Sequence, residues 1–170
     1  AATRDKRRAT SRSMKLTHFT DEGAARMVDV SAKGETLREA VAAARVSMQP
    51  ATLRLILDRK VSKGDVLGVA RVAGIMAAKR TPELIPMCHP LNLTSVEIDL
   101  VPDRKTSSIS ITATVRIFGR TGVEMEALTA AAAAGLTVYD MCKSADRAMT
   151  VTDVRLLRKS GGKSGTFERK

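Results

Sequence analysis

The sequence predicts an α+β fold, with helices packed on an antiparallel sheet. Three observations carry this reading. Residues 95–117 alternate apolar and polar side chains in two runs joined by a short turn, the pattern of a hairpin. Val123–Met149 is the most apolar and alanine-rich stretch of the chain, the pattern of a long, deeply buried helix. Segments with helical spacing stand on either side of the hairpin, and helices mixed with antiparallel strands do not make a doubly wound parallel sheet.

In chain order, residues 1–14 are small, polar and basic without apolar periodicity, and read as a flexible leader. From Glu35 to Met48 the set Leu37, Ala40, Val41, Ala44 and Met48 repeats with helical spacing. Thr36 with Glu39 resembles a capping box there, and Pro50 forbids continuation. A second short helix starts at Pro50 with Leu53, Ile56 and Leu57 on one face, and Lys60–Gly64 turns. Asp65 looks like the N-cap of a third helix carrying Leu67, Ala70, Gly74 and Ala77 on a common face. Thr81–Pro90 holds three prolines in ten residues and should be a stiff, extended loop. In the hairpin Val96, Ile98 and Leu100 form one apolar row and Ile109, Ile111, Ala113, Val115 and Ile117 the other, with a turn at Pro102–Ser107. Gly119–Gly122 turns into the buried helix, and Val151–Leu157 alternates as one more strand. The tail 159–170 is rich in Gly, Ser and Lys and reads as flexible. The chain thus divides into a leader (1–14), one catalytic-sized domain (15–158) and a tail (159–170) that contributes to the site.

Composition narrows the function classes. The chain has 170 residues, 44% hydrophobic and 28% charged, near the globular average. No apolar run is long enough to span a bilayer, and no apolar core follows the basic N-terminus as a secretory signal requires. Two cysteines are too few for a disulfide framework, so a reduced cytoplasmic setting is expected. The net charge of +11 is uneven: residues 1–15 and 155–170 each carry +5, leaving +1 for 16–154. Such an excess attracts polyanions. Only four aromatics occur (Phe19, Phe118, Tyr139, Phe167), a poor supply for stacking single-stranded bases. A small anionic ligand suits this composition better than nucleic acid. The alternative, from a different class, is a basic nucleic-acid-binding module using both charged tails; the near-neutral middle argues against it.

Four groups of residues could carry chemistry. Met87, Cys88 and His89 sit in the proline-rich loop, where they either contact a ligand or supply a packing histidine. Two cysteines and two histidines without paired ligand spacing give no metal site. Asp140 and Lys143, three apart near the end of the buried helix, share a face. They are either a surface ion pair or a pair facing a cavity, where desolvation would lower the lysine pKa. Glu124 and Glu126 open the same helix, where acids complement the dipole or accept hydrogen bonds from a guanine-type ring. Arg38, Lys63, Lys79, Arg80, Lys159 and Lys163 stand where phosphate would suit them. The tail's Gly162-Lys163-Ser164 suggests a P-loop but fails the motif, since Leu157 stands where its first glycine belongs and no helix follows.

Leu16-Thr17-His18, Met27–Ser31 (MVDVS), Lys63–Val66 (KGDV), Ala77–Thr81 (AAKRT), Leu84–Leu91 (LIPMCHPL), Gly119–Thr129 (GRTGVEMEALT), Tyr139–Lys143 and Val154–Gly165 together closely resemble the MoaC family, the cyclic pyranopterin monophosphate synthases of molybdenum-cofactor biosynthesis. Met87 stands where leucine is common in that family, a mild change. The resemblance implies a ferredoxin-like subunit in a homohexamer, a trimer of dimers with sites at dimer interfaces. The substrate implied is a cyclised dihydroguanosine triphosphate made from GTP by a radical S-adenosylmethionine partner; the product is cyclic pyranopterin monophosphate, with loss of pyrophosphate. Asp140 matches the family's catalytic residue, and Lys63 and Lys143 its essential lysines, expected from different chains. Met87, Cys88, His89, Met125 and Glu126 match substrate-binding positions, with Arg38, Lys79, Glu124 and Lys159 as further site residues. No metal and no cofactor are implied, with Mg allowed only as a companion of the substrate phosphates; neither nucleic acid nor membrane is an expected partner.

Overall fold

The computed structural model describes residues 17–61 and 64–170. The leader at 1–14 lies outside the described residues, as does Lys63. Five strands form one antiparallel sheet: β1 (Thr36–Ser47), β2 (Ser95–Asp103), β3 (Ser108–Gly119), β4 (Thr150–Ser160) and the two-residue β5 (Phe167–Glu168), in the order β2-β3-β1-β4-β5. Helices α1 (Pro50–Leu57), α2 (Val66–Lys79) and the single turn α3 (Thr81–Leu84) fill the crossover from β1 to β2, and α4 (Glu124–Cys142) connects β3 to β4. The β3 strand thus lies between the two strands of a split βαβ unit, the ferredoxin-like α+β arrangement.

The expected helix at Glu35–Met48 is instead the central strand β1. Alanine or valine at every position from Ala40 to Ala44 satisfies a period of two as readily as one of 3.6, so the helical pattern was an alias. Tertiary pairing decides. All twelve residues of β1 pair with β3, and most of them also pair with β4 on the other edge. Burial follows the strand period through Ala40, Ala42, Ala44 and Val46. Glu39, read as half of a capping box, accepts from Arg116 Nε at 2.6 Å and also pairs with Arg158.

The remaining elements follow their local chemistry. Asp65 caps α2, its carboxylate accepting from Gly68 N at 3.0 Å. Pro50 occupies the first turn of α1, where its missing N–H costs nothing. The buried carboxylate of Asp146 accepts from Gln49 N at 2.8 Å and Thr52 Oγ1 at 3.2 Å, tying α1 to the segment after α4. The proline-rich stretch is not extended throughout: it opens with α3, and Thr81 Oγ1 donates to Ala77 O at 3.1 Å. The last helix ends at Cys142 rather than Met149, although Met149 is buried with the core. After Ser160 the chain turns back, and Phe167 and Glu168 pair with Lys159 and Arg158.

Helix α4 lies on β1, β3 and β4, and α2 lies on β2 and α4, so both long helices cover one face of the sheet. Small residues make this close packing feasible. Ala70, Gly74 and Ala78 of α2 and Ala127, Ala130, Ala131 and Ala134 of α4 are all buried. A Cβ on Gly74 would stand 3.0 Å from the Ala130 carbonyl oxygen and 3.2 Å from Ile98, with no room to move into. Gly74→Val should therefore destabilise the fold by about 1–3 kcal/mol through overpacking, read as a lowered urea midpoint.

Candidate active site

Antiparallel register gathers four chain segments at one end of the sheet. Thr36 at the start of β1 pairs with Gly119 at the end of β3, and Glu39 pairs with Ser160 at the end of β4. The N-terminus of α4 follows after the Gly119–Gly122 turn. The loop after α3 and residues 17–33 close the sides of a cavity of about 420 Å³. Its lining includes Arg38, Met87, Cys88, His89, Glu124, Met125, Glu126 and Lys159, eight residues anticipated from sequence. Thr17, His18, Lys33 and Glu39 line it as well and were not anticipated. His18 and Lys33 belong to irregular segments, where no periodicity marks a side chain as inward-facing.

Each wall has a physical cause. His89 Nε2 lies 2.8 Å from the Val28 carbonyl oxygen, which can only accept, so Nε2 carries a hydrogen and donates it there, leaving Nδ1 as the ring atom free to meet a ligand. Arg38 donates from Nε to Gly119 O at 2.9 Å and from Nη2 to Arg120 O at 3.0 Å. Lys159 Nζ reaches the Glu124 carboxylate at 3.0 Å and Ser164 Oγ at 3.1 Å, linking β4, the tail turn and α4. The N-cap residue of α4, Val123, has no side chain that can accept from the first turn.

Glu126 is buried beneath this cavity. Burial raises its carboxyl from 4.5 to about 7, and the charge of Glu124 pushes the same way against a backbone hydrogen bond. At neutral pH this acid can therefore hold or yield a proton. Burial, then the Glu126 charge, also raises the Cys88 thiol, which makes Cys88 a thiol neighbour rather than a thiolate nucleophile.

Asp140 and Lys143 stand elsewhere. They form an ion pair at 2.7 Å, both side chains more than half exposed, at the far end of α4. The lowering expected of a pair facing a cavity does not occur: the hydrogen bond that Lys143 donates to Asp140, then the Asp140 charge, raise the lysine pKa and outweigh the smaller effect of desolvation. Fourteen residues separate Glu126 from Asp140, about 21 Å along the helix axis. Beside this end, Lys60, Val61, Cys142 and Ser144 line a smaller cavity of about 180 Å³. Lys79 is exposed and lines a third cavity with Ile75 and Asn92, which shares only Leu91 with the first. Among the described residues no cluster of three His, Cys, Asp or Glu side chains could hold a metal ion, and no helix is long and apolar enough to cross a membrane.

An α+β subunit of ferredoxin-like topology, with a cationic, proton-holding cavity at the N-terminus of its last long helix, is the class that fold and site define. The model of the MoaC family matches residues 27–162, and the chain belongs to that family. Its relatives include the cyclic pyranopterin monophosphate synthase of Rhodospirillum rubrum, 64% identical over 152 residues, covering 89% of this chain and 92% of the relative. The enzyme of the same name from Pelotomaculum thermopropionicum is 62% identical over 155 residues, covering 91% of each chain. That of Geobacter sulfurreducens is 59% identical over 156 residues, 92% of this chain and 98% of the relative.

The buried carboxyl gives a pH signature. Its folded-state value of about 7 lies above the ordinary 4.5, so between those limits the folded chain binds a proton that the unfolded chain has released. Stability from this group is therefore present below pH 4.5 and falls as pH rises through 7. The melting-temperature advantage of Glu126→Gln over the parent chain should grow across that window and level off above it. An offset independent of pH would refute the burial account.

Proposed function

We propose that this chain is a cyclic pyranopterin monophosphate synthase, a lyase of molybdenum-cofactor biosynthesis. It would convert a cyclised dihydroguanosine triphosphate to cyclic pyranopterin monophosphate and pyrophosphate. The observation that carries this reading is the juxtaposition, in one cavity, of cations for phosphate with a buried carboxyl titrating near neutrality. Relatives of that name at about 60% identity over nine-tenths of the chain support the same reaction.

The residues divide the work by chemistry. Arg38, Lys33 and Lys159 bind and orient the anionic end of the substrate. Glu126 and Glu124 accept from the amino and ring N–H groups of a guanine-derived ring, and Glu126 can exchange a proton with it. His89, with Nε2–H held by Val28, presents Nδ1 as a further hydrogen-bonding atom for the ligand. Asp140 and Lys143 supply the acid–base pair for ring rearrangement; Lys143, kept charged by Asp140, gives a proton or stabilises the charge leaving with pyrophosphate. Lys63 and Lys79 are the further lysines of the proposed site. Any Mg arrives with the substrate phosphates.

A single chain holds these groups too far apart to act on one ligand, and we infer that each site is completed by a second copy in a dimer, with the hexamer built from three such dimers. The division between chains is drawn between the two ends of α4, which the helix holds about 21 Å apart, and Lys63 and Lys143 are taken to come from different chains. The enzyme works in the cytoplasm, downstream of a radical S-adenosylmethionine GTP cyclase.

Pyrophosphate release from enzymatically made substrate tests the reading. Asp140→Asn and Lys143→Ala should each lose roughly 100-fold or more in turnover while keeping the parent circular dichroism spectrum, because both side chains are more than half exposed. Near-normal turnover by either variant would remove it from the reacting centre.

A further inference from the structure

The tail motif that fails as a P-loop has a different structural use. Gly161 and Gly162 form the turn after β4, with φ of +93° and +73°, a region that favours glycine. The two glycines face different neighbours. A Cβ on Gly161 would overlap the Leu37 carbonyl oxygen and lie 3.1 Å from Arg38 Cα, so backbone would have to yield. A Cβ on Gly162 would overlap Nη1 of Arg38 and lie 2.8 Å from its Cζ. Those atoms are the far end of a flexible side chain, and they would yield before the fold did.

The guanidinium is already fixed on its other side. Its Nε and Nη2 donate to the carbonyls of Gly119 and Arg120, in the turn between β3 and α4. Arg38 is thereby confined between that turn and the bare Cα of Gly162, with its Nη1 protons committed to neither carbonyl. The same tail turn holds a second cation, since Lys159 Nζ reaches both Ser164 Oγ and Glu124.

We propose that Gly162 is a positioning residue: by presenting no side chain it holds the Arg38 guanidinium as a preset fork for a phosphate group of the ligand. The fork is useful only if held, because planar, bidentate donation to phosphate oxygens depends on orientation as well as charge. This rests on the reading of the cavity as a triphosphate site, but not on the ring chemistry assigned to it.

The test uses the full chain and inorganic triphosphate as probe, with binding measured by calorimetry for the parent, Gly162→Ala, Arg38→Ala and the double variant. Gly162→Ala should weaken triphosphate binding roughly tenfold and raise KM while leaving kcat nearly unchanged. The double variant should bind no more weakly than Arg38→Ala alone, because the glycine acts only through that arginine. Parent-like binding by Gly162→Ala, multiplying losses in the double variant, or no triphosphate binding by the parent would each overturn the proposal. Should Gly162→Ala fail to fold, the double variant, which keeps the backbone strain of the positive φ but loses the overlapping guanidinium, is expected to fold; failure of both would make the turn purely structural and refute the proposal. Absent turnover with the binding pattern intact would fault the proposed reaction and leave the positioning role standing.

Discussion

The close seating of α4 on the sheet is the constraint from which the rest of the molecule follows. It is achieved with alanine on both sides: Ala40, Ala42 and Ala44 from β1, Ala127, Ala130, Ala131 and Ala134 from the helix. Small side chains give little burial each, but they let elements approach until their backbones and larger neighbours interlock. Gly135 shows how tight the seat is, since a Cβ there would stand 3.0 Å from Val151 and 3.5 Å from Val46. Because the helix is fixed along its length, its first turn is held over the end of the sheet where β1 begins and β3 and β4 finish. Its last turn is held about 21 Å away.

That placement produces two electrostatic environments on one helix. At the N-terminal end Glu126 is buried and its proton is held up to about pH 7. At the C-terminal end Lys143 stands more than half exposed beside Asp140, whose hydrogen bond and charge raise the lysine pKa. The first environment suits holding a proton, and the second suits stabilising charge. Chemistry that opens and closes rings and then releases pyrophosphate has use for both.

How much of this was legible in the sequence depended on how local the signal was. Asp65 as a helix cap, the hairpin from Ser95 to Gly119 and the buried last helix rest on short-range chemistry and appear as read. The β1 strand was misread because an alanine-rich run fits both periods, and only its two neighbouring strands, from distant parts of the chain, decide between them. Likewise the sequence marked Glu126, His89, Arg38 and Lys159 as candidates, yet their meeting in one cavity depends on register. Asp140 and Lys143 were legible as a pair on one face, but their exposure was not, because nothing local says what covers a helix end. His18 lay in a stretch that carries the family resemblance without being marked as a site residue, and Lys33 gave no signal beyond its charge.

The central claim is that the two ends of α4 come together across subunits rather than within one. Subunit complementation tests it directly: His89→Ala and Lys143→Ala chains, each inactive alone, are unfolded, mixed in equal amounts and refolded together. In a two-fold arrangement every mixed dimer contains one site with both changes and one with neither. Random mixing makes half of the dimers mixed, so about a quarter of the parent turnover should return. Activity that stays at the level of the separate variants, with mixed assemblies demonstrated by mass, would mean that His89 and Lys143 serve a site within one chain and would contradict the account.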